Sequence, residues 1–276
     1  MTTFTYFNPV CIDFSEDMLS ALLRKLGNRK ALLVTSQGHS IRGVTKSITD
    51  ASANIVAVID DVKPNPDFSQ LRSLYNLAHQ YDFDVVIGVG GGSVLDTMKV
   101  LAVQSQNHHF AAIEDILRSG NQNLQVPTKP TLAIPTTAGT GSEVTPWATV
   151  WDFQINKKFS LHLSNLWPEA AIYDPHLTVS LNREITLQTG LDSLSHSFES
   201  IWNKNANPVS EQHALKSIHL IVETLPKVLK NLEDVHSRRL LMLGSMHAGL
   251  AFSNTQTAIA HAISYYVSTY KGLAHG

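Results

Sequence analysis

Short apolar runs alternate with amphipathic stretches through the first part of the chain. KALLVTS (30–36), NIVAVID (54–60), DVVIGV (84–89) and TLAIP (131–135) are bounded by polar or turn-forming residues. Runs of this length, rich in branched apolar residues, predict buried strands. Between them, DFSQLRSLYNLAHQY (67–81) repeats Leu71, Leu74, Leu77 and Ala78 at helical spacing, and SVLDTMKVLAVQ (93–104) does the same. Strand and helix patterns in alternation predict βαβ units and a mostly parallel sheet. TPWATVWD (145–152) and KFSLHL (158–163) predict an antiparallel pair, and TFTYFNPV (3–10) has strand-like alternation.

The period changes after about residue 181. Helical spacing dominates 184–203, 208–231, 235–250 and 256–270, and Asn207-Pro208 separates the first two of these helices. The expected architecture is an α/β domain with a mostly parallel sheet over 1–180 and an all-helical domain over 181–276. Ligands are expected in the cleft between two such domains.

Composition narrows the function classes. The chain has 276 residues, 43% hydrophobic and 16% charged, with a net charge of −2. It carries no basic run, so nucleic acid and membrane surfaces are not expected partners. Cys11 is the single cysteine, which excludes an internal disulfide and fits a reducing compartment. The first residues lack a basic segment followed by an apolar core, and no stretch is long enough to span a bilayer. A cytoplasmic location is expected.

Two loops carry phosphate-binding chemistry. Gly90, Gly91, Gly92 and Ser93 stand between a predicted strand and a predicted helix, where backbone N–H groups and the helix dipole favour an anion. The G-x-G-x-x-G spacing is incomplete: Gly88 and Gly90 fit, but Ser93 occupies the third place. PTTAGTGSE (135–143) follows another strand, and its Thr136, Thr137, Thr140 and Ser142 hydroxyls can bond phosphate or ribose oxygens. A pair of loops at the ends of neighbouring strands fits the crevice rule for open α/β sheets. Plain tight turns would use the same residues.

Metal chemistry is the third signal, and the thirteen histidines prompt it. In TGLDSLSHSFES (189–200), Leu191, Leu194, Phe198 and Ile201 form an apolar stripe, and Asp192 and His196 flank it four residues apart on one face. An exposed i,i+4 pair would look the same. His261 lies in a nearly continuous apolar helix, where a buried imidazole requires a partner. His275 sits between small residues in GLAHG. One carboxylate and three imidazoles make a ligand set suited to Fe(II) or Zn(II). His213, His219, His236 and His247 have no comparable setting and read as ordinary helix residues.

Taken together, GGGSVLDTMK (90–99), TTAGTGSE (136–143), GLDSLSHSFES (190–200), the terminal AH…AHG (260–276) and KPNPD (63–67) resemble the iron-containing (group III) alcohol dehydrogenase family. The resemblance runs over essentially the whole chain. It implies a dehydroquinate synthase-like architecture of the two domains described above, and hydride transfer between NAD or NADP and an alcohol or aldehyde at a divalent metal, Fe2+ or Zn2+. By match, Asp192, His196, His261 and His275 are the implied metal ligands. Gly91, Gly92, Ser93, Asp96, Thr136, Thr137 and Thr140 are implied dinucleotide contacts, with Asn65 and Lys158 added to them. Members commonly pair as homodimers through an N-terminal strand.

The chain departs from the family pattern in three places. Tyr265 stands where many members carry a second histidine, and is a candidate proton donor. Ser36 replaces the acidic residue that holds the adenosine ribose, and His39, Arg42 and Lys46 follow it, so NADPH is expected to be accepted. Members usually continue well beyond the HG element, so the chain is expected to be a fragment that lacks part of the helical domain. A dehydroquinate-synthase-like lyase and a non-catalytic nucleotide-binding fragment stay open as alternatives. The phrases SEVTPWATVWD (142–152), WNKNANPVS (202–210) and AHAISYY (260–266) resemble the phosphonoacetaldehyde-reducing branch of the family. A dianionic substrate would draw its counter-charge from Lys99, Lys157, Lys158, Lys204 or Lys271. An uncharged aldehyde would instead meet Trp147, Trp151, Phe252 and Tyr265.

Overall fold

The computed structural model describes residues 3–105, 109–120 and 126–271, without the side chains of residues 265, 266 and 268–271. The chain forms two compact units. One comprises Val10–Pro135 and Pro146–Tyr173; the other comprises Met1–Pro9, Thr136–Thr145 and Asp174–Gly276. A single cut at residue 180 therefore does not divide the chain, because two segments from its N-terminal part pack within the helical unit.

The first unit runs β1 (Cys11–Phe14), α1 (Met18–Leu26), β2 (Ala31–Val34), α2 (Gln37–Ile41), α3 (Val44–Ala51), β3 (Ile55–Ile59), α4 (Phe68–Ala78), β4 (Val85–Gly90), α5 (Gly92–Ala102), α6 (Phe110–Ser119), β5 (Thr131–Pro135), β6 (Trp147–Asp152), β7 (Lys157–His162) and β8 (Ala170–Tyr173). Six strands form one parallel sheet in the order β1-β8-β5-β4-β2-β3. Central β2, β4 and β5 are buried along their whole length, as expected for strands covered on both faces. Gly90 lies opposite Pro135 where β4 and β5 end, so the glycine loop and the TTAGTGSE segment leave the sheet at the same level. Asp17 and Asp67 cap α1 and α4 by accepting from Ser20 and Gln70 backbone N–H groups. Gly91, at the start of α5, has no side chain with which to cap.

The antiparallel pair forms as β6–β7, in register from Trp147↔His162 to Asp152↔Lys157. Ala148, Val150 and Leu161 of this hairpin join the core around Leu32, Leu71, Tyr75 and Met98. Strands β1 and β8 were not apparent in the sequence. Each has only four residues, and β1 holds polar Asp13 amid CIDF.

The second unit is built on α7 (Arg183–Trp202), α8 (Pro208–Lys230), α9 (Val235–Thr255) and α10 (Ile259–Lys271). Asn182, Asn207 and Asp234 cap the first three, Asn207 through a capping box with Ser210 and with Pro208 in the first turn. Close approach needs small residues: a Cβ on Gly190 would lie 2.8 Å from Leu225 Cδ1, and one on Gly244 would lie 2.9 Å from Ile221 Cγ1. Serines bridge the same contacts. Ser197 Oγ donates to Ser217 Oγ at 2.7 Å, and Ser193 Oγ meets Ser245 Oγ at 3.0 Å.

This packing inverts α7 relative to its apolar pattern. Its buried face is Thr186, Gly190, Asp192, Ser193, His196, Ser197, Glu199 and Ser200, whereas Leu191, Phe198 and Trp202 are 45%, 39% and 58% exposed. The hydroxyls satisfy one another across the helices, so a polar face can be buried without stranding donors. Residues 3–10 also differ from expectation, since no strand forms there. Asn254 takes up the backbone instead: Phe7 N–H donates to its Oδ1 at 2.8 Å, and its Nδ2 donates to the Phe7 carbonyl at 3.0 Å. Among the described residues no helix is long and apolar enough to cross a membrane.

Candidate metal centre

Helix α7 presents Asp192 and His196 one turn apart, and α10 brings His261 to them. All three are buried, at 7%, 6% and 4% exposure. His261 Nε2 lies 3.4 Å from Asp192 Oδ1, and His196 Nδ1 lies 3.9 Å from Asp192 Oδ2. One donor atom from each residue falls within 4.8 Å of the others. Donors about 2.0–2.2 Å from a shared ion would have this spacing, and an oxygen with two imidazole nitrogens suits Fe2+ or Zn2+. The residues therefore fit a divalent metal. Phe252 stacks on His196 with centroids 4.2 Å apart, and His196 stacks on His261 at 4.3 Å. The three rings fix the imidazoles by packing on one another. His275, the fourth ligand implied by sequence, lies outside the described residues, and so does the side chain of Tyr265.

Glu199 is the functional residue that the sequence reading passed over. It is 0% exposed, and its Oε2 accepts from His261 Nδ1 at 2.5 Å. The same carboxylate takes the N–H groups of Ala258, Ala260 and His261 at 2.9, 2.6 and 3.2 Å, covering the start of α10. Burial pushes its pKa up, but the Ala258 N–H, the His261 charge and the further bonds outweigh that, and the carboxyl sits below its ordinary value. In His261 burial favours the neutral ring, yet the bond to Asp192 and the charges of Asp192 and Glu199 raise its pKa. A signal was present: Glu199 is seven residues after Asp192 and so shares its face. Buried acids are rare enough that a lone Glu in a helix reads as solvated.

The candidate cofactor residues fall in both units. In the sheet unit, the Asn65 backbone N–H donates to Ser93 Oγ at 3.1 Å, and Asn65 adopts φ 56° to do so. These two candidates therefore adjoin each other beside Gly91 and Gly92. Asp96 Oδ2 accepts from the Thr149 N–H at 2.9 Å, tying α5 to β6. Lys158 Nζ lies 5.8 Å from the Trp151 ring centroid. Ser36 precedes α2 at its N-cap position and contacts His39 Nδ1 through its Oγ at 3.0 Å. Burial and then the Arg42 charge push the His39 pKa down to about 4, so the ring is neutral near pH 7. Lys46 pairs with Asp50. Of the three cationic candidates after Ser36, Arg42 is exposed and shows no ion pair among the described residues.

In the helical unit, Thr136 and Ser142 are buried while Thr137 and Thr140 are partly exposed. Ser193 Oγ donates to the Gly139 carbonyl at 2.8 Å. A Cβ on Gly141 would meet Gly249 Cα at 2.7 Å, so this loop rests on the backbone of α9. Lys99, one of the candidate counter-charges, is fully buried with Nζ donating to the Trp147 carbonyl at 2.7 Å. His213 and His247 also depart from the ordinary: their Nδ1 atoms are 2.9 Å apart and Tyr6 stacks on His213 at 5.7 Å.

Residues 11–175 match the family model described as iron-containing alcohol dehydrogenase, and residues 186–276 match that of the Fe-containing alcohol dehydrogenase family, C-terminal. The chain belongs to the iron-containing alcohol dehydrogenase family. It is 36% identical over 264 residues to long-chain-alcohol dehydrogenase 1 of Geobacillus thermodenitrificans, covering 94% of this chain and 66% of that one. It is 34% identical over 258 residues to the NAD-dependent methanol dehydrogenase of Bacillus methanolicus, covering 92% of this chain and 66% of that one. The chain thus spans about two thirds of the length of these curated relatives. Among solved structures, sulfoacetaldehyde reductase from Bifidobacterium kashiwanohense in complex with NAD+ superposes with a TM-score of 0.91 at 28% identity, covering 100% of this chain and 73% of that one. The motifs that resembled this family therefore mark a member of it, with a parallel sheet and a helical region.

Proposed function

We propose that the protein is a metal-dependent, NAD(P)-linked oxidoreductase that interconverts an alcohol and an aldehyde. The observation that carries this reading is the buried group of Asp192, His196 and His261, in a chain that matches the family over both of its parts. Those three residues would hold the ion, and the sequence match adds His275. When bound, the divalent ion supplies Lewis-acid polarisation of the carbonyl and the dinucleotide supplies hydride.

The chain's own residues do the positioning. Glu199 accepts from His261 Nδ1, and Phe252 stacks on the His196 ring. Gly91 and Gly92 allow the backbone to approach a pyrophosphate, with Ser36, Asn65, Ser93, Asp96 and Lys158 as the other contacts proposed in that unit. Thr136, Thr137, Thr140 and Ser142 supply hydroxyls to the dinucleotide. Tyr265 is the proposed proton donor, and a Tyr265→Phe variant tests it through kcat.

Within the aldehyde class, an anionic two-carbon aldehyde is the favoured substrate. Phosphonoacetaldehyde, suggested by the local phrases, and sulfoacetaldehyde, named for the structural neighbour, both carry an anionic tetrahedral head on the carbon next to the reacting one. The higher identity to methanol and long-chain-alcohol dehydrogenases favours an uncharged substrate as the second reading.

A NAD(P)H-oxidation screen with Fe2+- and Zn2+-loaded protein tests both readings, comparing phosphonoacetaldehyde, sulfoacetaldehyde and propanal. Stoichiometric metal content, lost in His196→Ala and His261→Ala together with turnover, is the expected result. Full turnover in metal-free His261→Ala would refute the metal dependence. A higher kcat/KM for propanal would overturn the anionic substrate alone. Product formed from substrate with no net NAD(P)H consumption would point to a lyase.

A further inference from the structure

Resting on the metal-site reading above, we propose that Glu199 is a positioning residue for the metal centre: it sets the His261 tautomer and anchors the helix that delivers His261. An ionised carboxylate only accepts hydrogen bonds, so the 2.5 Å contact requires the proton on His261 Nδ1. The lone pair is then left on Nε2, the nitrogen that faces Asp192 Oδ1 at 3.4 Å. The opposite tautomer would place a proton where the metal must bind. An anionic partner also makes the imidazole a stronger donor to a cation.

Four donors surround the two Glu199 oxygens, and this geometry ties ring orientation to backbone position. Oε1 takes the Ala260 and His261 N–H groups, while Oε2 takes the Ala258 N–H and the His261 ring. The carboxylate thus caps the start of α10, where negative charge complements the helix dipole. The preceding turn is held from the same side. Gln256 reverses the chain at φ 68°, and its carbonyl and that of Thr257 accept from Asn203 Nδ2 at 3.3 and 3.2 Å. Asn205 Nδ2 holds the Thr255 carbonyl at 3.3 Å. Helix α7 therefore carries two ligands itself and places the third through Glu199 and its own C-terminal end.

Glu199→Gln tests the assignment with little change in volume. Its amide nitrogen must oppose donors whichever way it turns, so it forfeits either the ring contact or the helix anchor. Zn2+ affinity is to be measured by chelator competition at fixed pH, alongside circular dichroism and NADH fluorescence. The expected result is a loss of metal affinity of about 10- to 100-fold with NADH binding retained, and partial recovery in Glu199→Asp. A helix anchor alone would lower thermal stability in both variants without this split. Independently, 15N-histidine-labelled, zinc-loaded wild-type protein should show a strongly downfield Nδ1 proton from His261, assigned by its absence in His261→Ala. That measurement decides the matter if Glu199→Gln does not fold, and absence of the resonance overturns the proposal. Zinc uptake that His261→Ala abolishes secures the site itself. Unchanged affinity in Glu199→Gln then overturns the positioning role alone, whereas no uptake by the wild type overturns both.

Discussion

Gly141→Ala should destabilise the helical unit and disturb the loop that carries the Thr136–Ser142 hydroxyls. Two effects add at this position. Gly141 has φ 61°, and an L-residue in the left-handed region costs roughly 1–2 kcal/mol. The new methyl would also lie 2.7 Å from Gly249 Cα and 2.8 Å from Phe252 Cε1. The first of these atoms is backbone in the middle of α9 and cannot swing away, so an overpacking cost of about 1–3 kcal/mol applies. The sum is about 3 kcal/mol, which corresponds to a fall in melting temperature of roughly 6–12 °C.

The opposite side of the same contact separates the causes. A Cβ on Gly249 meets Val144 Cγ2 at 2.5 Å, a side-chain atom, and Gly249 carries no positive φ. Gly249→Ala should therefore be milder and be partly rescued by Val144→Ala, while Gly141→Ala should not be rescued by it. Phe252 stacks on His196, so displacement by the new methyl should also weaken metal uptake. Differential scanning calorimetry and NADH titration read the two effects. A Gly141→Ala protein that melts within about 1 °C of the wild type would show that the loop yields freely, and the packing argument would fail.

Acid should destabilise the fold through its buried histidines. Burial, aided by His213 and Lys216, pushes the His247 pKa down to about 4, and His39 is depressed to the same level. Both are neutral in the native state, so the stability they contribute is complete above the ordinary value of 6.5 and is lost as pH falls from there towards 4. His247→Asn should flatten the melting temperature against pH across that window, and an unchanged acid limb would count against the assignment. Arg238 is 2% exposed and donates to the Leu232 carbonyl, Thr186 Oγ1 and the Leu181 carbonyl at 2.9, 2.9 and 3.0 Å. Arg238→Met should cost about 3 kcal/mol in urea unfolding, because one buried and two partly buried acceptors lose a charged donor; a cost under about 1 kcal/mol would contradict it. Ser36→Asp should lower kcat/KM for NADPH relative to NADH by at least about tenfold, since Ser36 pairs with the segment at Asp61 and the new carboxylate would double the negative charge there. An unaltered ratio of the two kcat/KM values would place the ribose elsewhere.

Much of this protein is written locally. The alternation of apolar runs with helical repeats was sufficient for the parallel sheet, because central strands buried on both faces need unbroken apolar residues and their crossover helices need one apolar stripe. Asn207-Pro208 marked a helix boundary through its own chemistry, and the hairpin of residues 147–162 followed from alternation. The family motifs named the metal and cofactor candidates, since glycine loops and an Asp192–His196 pair are adjacent in sequence. What local pattern could not supply is which surfaces meet. Helix α7 exposes Leu191 and Phe198 of its apolar stripe and buries serines instead, because α8 and α9 approach closely enough for hydroxyls to bond one another. Residues 3–10 alternate like a strand, but the Phe7 backbone bonds the side chain of Asn254, 247 positions away. Glu199 lies on the same face of α7 as Asp192, yet only the return of α10 turns it from an apparently solvated acid into the partner of His261. The cost of burying a carboxylate is met there by four donors drawn from residues about 60 positions further along the chain, and such compensation exists only once the tertiary fold has formed.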